Sequence, residues 1–267
     1  MFIDRLLSTN QHAVVNEANE MGLMCFEVTN VARYLKGHEI NKYDVPRIRP
    51  PYGAVWFEWA TLGLNDIEMQ SYDPTTGVYV EKATRKSLKT EGHLLVQIEE
   101  SNGLLSLCMF TYNESIEGEI FPGHLPLVQC DKLGNLVPIA NTYQGAYIPN
   151  SISAVVLMSL GFLNCKNVTI LSNQPPYKLQ AARTKKGKRP LVTYHILEIK
   201  PMAKILRDEG HSETDGLKRA LHICRGHFKD YAARGLFGRH KGMYWWDAQV
   251  RGNTTEGISL KDYKISP

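Results

Sequence analysis

The chain has 267 residues, 43% hydrophobic and 22% charged, enough for a sizeable core as one large domain or two small ones, so disorder is not expected. No stretch reaches the about eighteen apolar residues of a membrane span; the richest, Ala154 to Leu163, is short and holds Ser159 and Gly161. The net charge of +4 conceals a division: residues 1–150 hold 11 Lys+Arg against 18 Asp+Glu, and residues 151–267 hold 20 against 9.

Two short helices are expected in the first forty residues, where Val14, Val15, Ala18 and Met21, then Phe26, Val31 and Leu35, recur near helical spacing. Asp44 to Gly53 contains three prolines, which remove backbone donors and fix φ, so it reads as an extended connection into a sheet. From Ala54 the pattern turns β-like: AVWFEW, then GVYVEKAT from Gly77, HLLVQIEE from His93 and LLSLCMFTY from Leu104. Asp73 to Gly77 and Ser101-Asn102-Gly103 suit tight turns, which predicts an antiparallel meander. Leu127 to Cys130 and Leu136 to Ile139, joined by Asp131 to Asn135, read as a further hairpin. Ser151 can cap a helix from Ile152 to Phe162 that is apolar all round and therefore expected to be buried. Val168 to Ser172 reads as a strand, Lys178 to Lys186 as a basic helix or loop, Val192 to Ile199 as a strand, and Asp208 to Gly216 as a loop. The fold class expected is α+β: N-terminal helices, a central and mostly antiparallel sheet, one buried helix, and C-terminal strands.

The charge division separates an acidic helical and antiparallel-sheet region, 1–150, from a basic region, 151–267, as two units or one continuous domain. A basic surface attracts phosphate backbones, anionic surfaces or acidic proteins. Asp4, Arg5, Glu17 and Glu20 near the start differ from the basic-then-apolar pattern of a signal peptide, so an intracellular, cytoplasmic protein is expected. The five cysteines are odd in number and never spaced C-x-x-C, which suits reduced thiols. The nearest approach to a zinc set is His222, Cys224 and His227, with no fourth ligand, so neither metal nor cofactor is expected.

Two segments concentrate groups that handle phosphates. Arg183 to Arg189 places five basic residues in seven positions, among them Lys185 and Lys188, and such a run pairs with a phosphate backbone through counterion release. On structural grounds alone it is a solvated loop. The second segment, His222 to Gly252, packs His222, Arg225, His227, Lys229, Arg234, Arg239, His240, Lys241 and Arg251 among Phe228, Tyr231, Phe237, Tyr244, Trp245 and Trp246. Bases stack on rings while cations hold phosphates, which suits single-stranded nucleic acid, although rings also fill cores. Leu217, Leu221, Cys224, Phe228 and Tyr231 have helical spacing, but Leu221 to Cys224 alternates and Gly226 would cost about 1 kcal/mol inside a helix, so a strand is favoured. On a strand Arg225, His227 and Lys229 share a face and His222 takes the other; on a helix His222, Arg225 and Lys229 share one.

One imidazole to take a 2′-hydroxyl proton, a second group to protonate the leaving oxygen and a cation for the phosphate suffice for RNA cleavage without metal. His222 and His227 are the candidate acid and base. Arg225 and Lys241 would hold the phosphate, Tyr231 would orient it, and Trp245 or Trp246 would stack on a base. No G-x-S-x-G elbow, G-x-x-x-x-G-K-[ST] loop, G-x-G-x-x-G fingerprint or H-E-x-x-H pair occurs, which argues against P-loop hydrolysis, dinucleotide redox and zincin proteolysis.

The run H-x-x-R-G-H-F-K-D-Y at His222 to Tyr231, G-L-F-G-x-x-K-G-x-Y-W-W at Gly235 to Trp246 and R-G at Arg251 resembles a family of uncharacterised proteins encoded by tailed phages and prophages. Pro51 to Trp59 and Lys178 to His195 fit the same resemblance, which covers about a third of the chain. It implies a phage accessory protein in the host cytoplasm, with the basic run and the His/Arg segment as one functional unit. The function expected is engagement of nucleic acid or another phosphate-rich ligand, as a binder or a metal-independent ribonuclease. The alternative is a non-catalytic interaction protein, a host-defence antagonist or virion component, that binds an acidic protein partner.

Overall fold

A nine-stranded mixed sheet runs through the molecule and carries helices on both faces. The computed structural model describes residues 1–9, 12–37, 45, 47–61, 66–69, 72–73, 78–79, 84–137, 154–211, 220–231, 234–251 and 253–258. In chain order these form α1 (Phe2–Leu7), α2 (Ala13–Glu20), β1 (Met24–Glu27), α3 (Thr29–Gly37), β2 (Ala54–Ala60), β3 (Asp66–Met69), β4 (Tyr72–Asp73) and β5 (Val78–Tyr79). Then come β6 (Thr84–Glu99), β7 (Leu105–Ser115), β8 (Ile120–Cys130), β9 (Leu136–Val137), α4 (Ala154–Leu163), β10 (Val168–Asn173), α5 (Tyr177–Lys185) and β11 (Tyr194–Ile199). The chain continues with α6 (Met202–Asp208), β12 (Ala220–Cys224), β13 (His227–Asp230), β14 (Met243–Trp246), β15 (Gln249–Arg251) and β16 (Asn253–Ile258).

The architecture is α+β, with strand order β10-β11-β1-β2-β6-β7-β8-β9 and β3 pairing along the outer part of β6. The contacts of β1 with β2 and with β11 are parallel, and the other pairings of this sheet are antiparallel. Through β11, the basic half of the chain donates two strands to the edge beside β1.

β2 has both faces covered, which explains why its residues are apolar apart from Glu58. Val55, Phe57 and Trp59 point into a large core with α3 and α4, while Ala54 and Trp56 enter a smaller core with α1 and α2. Glu58 shares the second face, where its buried carboxylate accepts from the Phe2 and Ile3 amides and from the Trp56 indole N–H. Burial raises its pKa, and those three donors oppose the shift. α4 is buried from Val156 to Phe162, as its apolar circumference requires.

The hairpin expected at Asn102-Gly103 forms between β6 and β7, with Leu104 N donating to the Asn102 side chain. β8 and β9 pair across Asp131 to Asn135, while Pro138 and Ile139 lie outside the described residues, as does the proposed Ser151 cap. Of GVYVEKAT, Val78 and Tyr79 form β5 and residues 80–83 are outside the described set. Phe26, expected in a helix, instead lies on β1. Its strand partners are Phe57 and His195, far away in sequence, so tertiary pairing overrides the local spacing. α6 follows Pro201 and ends where the loop from Asp208 was expected; residues 212–216 of that loop fall outside the described residues. No described helix is long and apolar enough to cross a membrane.

Candidate nucleic-acid interface

The favoured strand reading of residues 221–231 holds: β13 and β14 form a two-stranded ribbon, which continues into β12 and β15, where β16 adds a third strand beside β12. His227 pairs with Trp246, Phe228 with Trp245, Lys229 with Tyr244 and Asp230 with Met243. Further out, Cys224 pairs with Gln249, Ile223 with Val250 and His222 with Arg251. The same register carries through the gap between them, so Arg225-Gly226 stands opposite Asp247-Ala248 within one hairpin.

The inner face of this ribbon is core. Trp245 is 1% exposed and sits 5.2 Å from Phe162 at a near-perpendicular angle, 5.9 Å from Tyr34 and 4.8 Å from Phe228. The Asn167 side chain acts as a substitute strand for it: Trp245 N donates to Asn167 Oδ1, and Asn167 Nδ2 donates to the Trp245 carbonyl, both at 2.9 Å. At the gap, the Tyr34 hydroxyl donates to Asp247 Oδ1 at 2.6 Å and fastens the ribbon to α3. Burial, then Asp247, raises the Tyr34 pKa. A Cβ on Gly226 would lie 2.6 Å from Trp245 Cζ2 and 2.8 Å from the Tyr34 hydroxyl, so only glycine lets the ring pass this close.

The outer face has a different composition. The exposed His227 ring lies parallel to Trp246, offset with centroids 6.4 Å apart. His227 Nδ1 is 3.0 Å from the Arg225 carbonyl, which can only accept; Nδ1 therefore carries the proton, and Nε2 of the neutral ring holds the lone pair. Next along this face Lys229 Nζ stands 5.2 Å over the Tyr231 ring, which packs against Tyr244. His240 contacts the Tyr244 ring edge-on, and its Nε2 pairs with Glu209 at 3.0 Å. Burial, then Glu209, raises the Tyr244 pKa.

The turn beyond is closed by Tyr231 N donating to the Gly242 carbonyl and by the Leu236–His240 bridge. At its tip Phe237 holds φ 51°, is 58% exposed and stacks on His211 at 4.5 Å. Arg234, Arg239 and Lys241 are exposed here. Asp230 is engaged by Arg47 and Glu209 by His240. Among the described residues, no carboxylate lies within ion-pair distance of Lys229, Arg234, Arg239 or Lys241.

The structure sorts the expected site residues. His227, Arg225, Tyr231, Trp246, Lys241 and Arg239 belong to the outer face and its turn. His222 and Arg251 are opposite one another on β12 and β15, and their side chains lie outside the described residues. Trp245 is corrected from a stacking platform to a core ring, because its register position turns it inward against Phe162. His211 and Glu209 carried no expectation; Phe237 was one of the rings of the segment, and the glycines of G-L-F-G signalled the backbone that exposes it.

Arg183, Lys185, Lys188 and Arg189 stand apart from the ribbon. Arg189 Nη1 donates to the Leu7 carbonyl and Asn16 Oδ1, and Val192 N donates to Asp4, so this segment joins α1 and α2 on the face opposite α4. A 360 Å3 cleft on that same face is lined by Arg5, Lys89, Glu58 and Glu114, but Glu58 is engaged by two α1 amides and the Trp56 indole, and Glu114 is paired with Arg5 and Lys89. The chain matches no family model, no curated protein and no solved structure.

Proposed function

We propose that the protein binds single-stranded nucleic acid along the outer face of the β12–β15 ribbon. The observation that carries this reading is the parallel His227–Trp246 pair beside Lys229 over Tyr231, on a face whose turn adds three exposed cations. Rings of this kind take bases without regard to sequence, and the cations track the phosphates. The C-terminal motif supports a role as a cytoplasmic accessory protein of tailed phages within this proposal.

Metal-independent RNA cleavage is the catalytic extension of the same reading. His227, with the Nε2 lone pair, is the base and Arg225, on the same strand face, is the phosphate-holding cation; the register gives position 222 the opposite parity and sets Lys241 at the far turn, so neither completes this set.

Fluorescence anisotropy on short RNA and DNA strands tests binding. Trp246→Ala and Lys229→Gln should each weaken it about tenfold, with the loss greatest at low salt for the lysine variant. Cleavage of RNA in chelator should fall about a hundredfold in His227→Ala with an unchanged melting curve. Absence of oligonucleotide binding, together with salt-sensitive binding to an acidic protein, would favour the interaction-protein reading instead.

A further inference from the structure

The basic run closes a second cleft, of about 670 Å3, between itself and α1. α5 ends in a Schellman turn: Lys188 N donates to the Arg183 carbonyl, Gly187 N to the Thr184 carbonyl, and Gly187 takes the left-handed φ of 64° that the motif requires. That turn reverses the chain so that Arg183, Lys188 and Arg189 line one cleft with Leu7, Pro190 and Leu191.

Both arginines are held by neutral acceptors. Arg183 Nε donates to the Arg189 carbonyl at 3.0 Å, and Arg189 Nη1 reaches the Leu7 carbonyl and Asn16 Oδ1 at 3.2 and 2.8 Å. Their positions are thus fixed while their charge stays uncompensated. Among the described residues no carboxylate pairs with Arg183, Lys188 or Arg189. The cleft's one acid, Asp4, accepts from Val192 N and the Met1 amino group, and its fourth cation, Arg5, is committed to Glu114.

We propose that this cleft binds a terminal phosphate, the phosphate monoester of a nucleotide or of a nucleic-acid strand end. A monoester carries about −1.5 to −2 at neutral pH, against a single charge for each backbone diester, and the two anchored arginines together with Lys188 match the larger charge. The wall of Leu7, Pro190 and Leu191 suits the attached sugar or base, and the volume lies in the range of small-ligand sites. The cleft is on the sheet face away from the ribbon, so it stands independently of the ribbon interface.

The test titrates the full chain calorimetrically with a nucleoside 5′-monophosphate, a short 5′-phosphorylated oligonucleotide and its 5′-hydroxyl twin. The oligonucleotides are read in the Trp246→Ala background, which lowers the ribbon's contribution about tenfold, and the 5′-hydroxyl twin measures what remains of it. Saturable binding of either phosphorylated probe with one site per chain is expected. Arg183→Gln and Lys188→Gln should each weaken it about tenfold, with native melting curves. Binding of the mononucleotide identifies free nucleotide as the source; binding of the phosphorylated strand alone identifies strand ends. The proposal fails if neither phosphorylated probe saturates, if the 5′-hydroxyl twin binds as well, or if the double substitution leaves binding intact.

Discussion

The ribbon and α5 both present cations to solvent, but they are built in opposite ways. In the ribbon each outward group has an inward neighbour that the core depends on: His227 and Lys229 flank Phe228, and Trp246 adjoins Trp245. α5 buries none of its residues, so its side chains have few structural duties. A substitution in the ribbon can therefore change binding or folding according to which side of one strand it falls on. Along α5 the two effects separate.

The largest expected effect comes from breaking the inward half. Trp245→Ala should cost about 3–5 kcal/mol of stability, visible as a lowered Tm, since it empties the space among Phe162, Phe228 and Tyr34. An unchanged Tm with lost nucleic-acid binding would show Trp245 acting as a platform and erase the contrast between the faces.

Acid sharpens the contrast by acting on the sheet and sparing the surface cations. His93 is 4% exposed, stacked on Trp59 at 4.9 Å, and neither ring nitrogen has a hydrogen-bond partner. Burial lowers its pKa from 6.5 to about 4. As pH falls through this window the unfolded chain takes up a proton that the folded chain refuses, so stability drops. Above pH 6.5 this contribution is constant. The full loss from this group is about 3 kcal/mol, complete near pH 4. Urea denaturation of His93→Phe, which keeps a ring on Trp59 and removes the titration, should show a flatter pH dependence. An identical slope would mean that His93 does not titrate with folding.

The smallest effect is expected on α5. Lys185→Gln should change stability by less than about 0.5 kcal/mol, measured by the same denaturation. A larger shift would mean that α5 is packed like the ribbon.

Much of the sheet was legible because local chemistry decides it. The aromatic run of β2, the Asn102-Gly103 turn and the all-apolar α4 each announce themselves within ten residues. β1 was not, since its four residues become a strand through parallel partners near positions 55 and 194. α6 gave a signal that went unused, with Pro201 at its N-cap and Met202, Ile205 and Leu206 at helical spacing. In the ribbon, the mixture of cations and rings was readable from composition, but the assignment of Trp245 and Trp246 to opposite faces was not. Adjacent rings on a strand face opposite ways, and which one enters the core depends on the pairing of His227 with Trp246, set by a turn whose length sequence alone leaves open. Separation of the basic run from the ribbon was likewise invisible, because it follows from which sheet face receives α1.

The interruption at Arg225-Gly226 and Asp247-Ala248 has equal length on both strands. Its size is therefore quantised. One residue gained or lost on a single strand would shift the phase of everything beyond it and turn Phe228 to solvent or His227 into the core. A matched pair gained on both strands would lengthen the arm and keep its phase. The reach of the outer face can vary between sequences in such paired steps alone, with the Tyr34–Asp247 bond as the fixed origin from which the arm is counted.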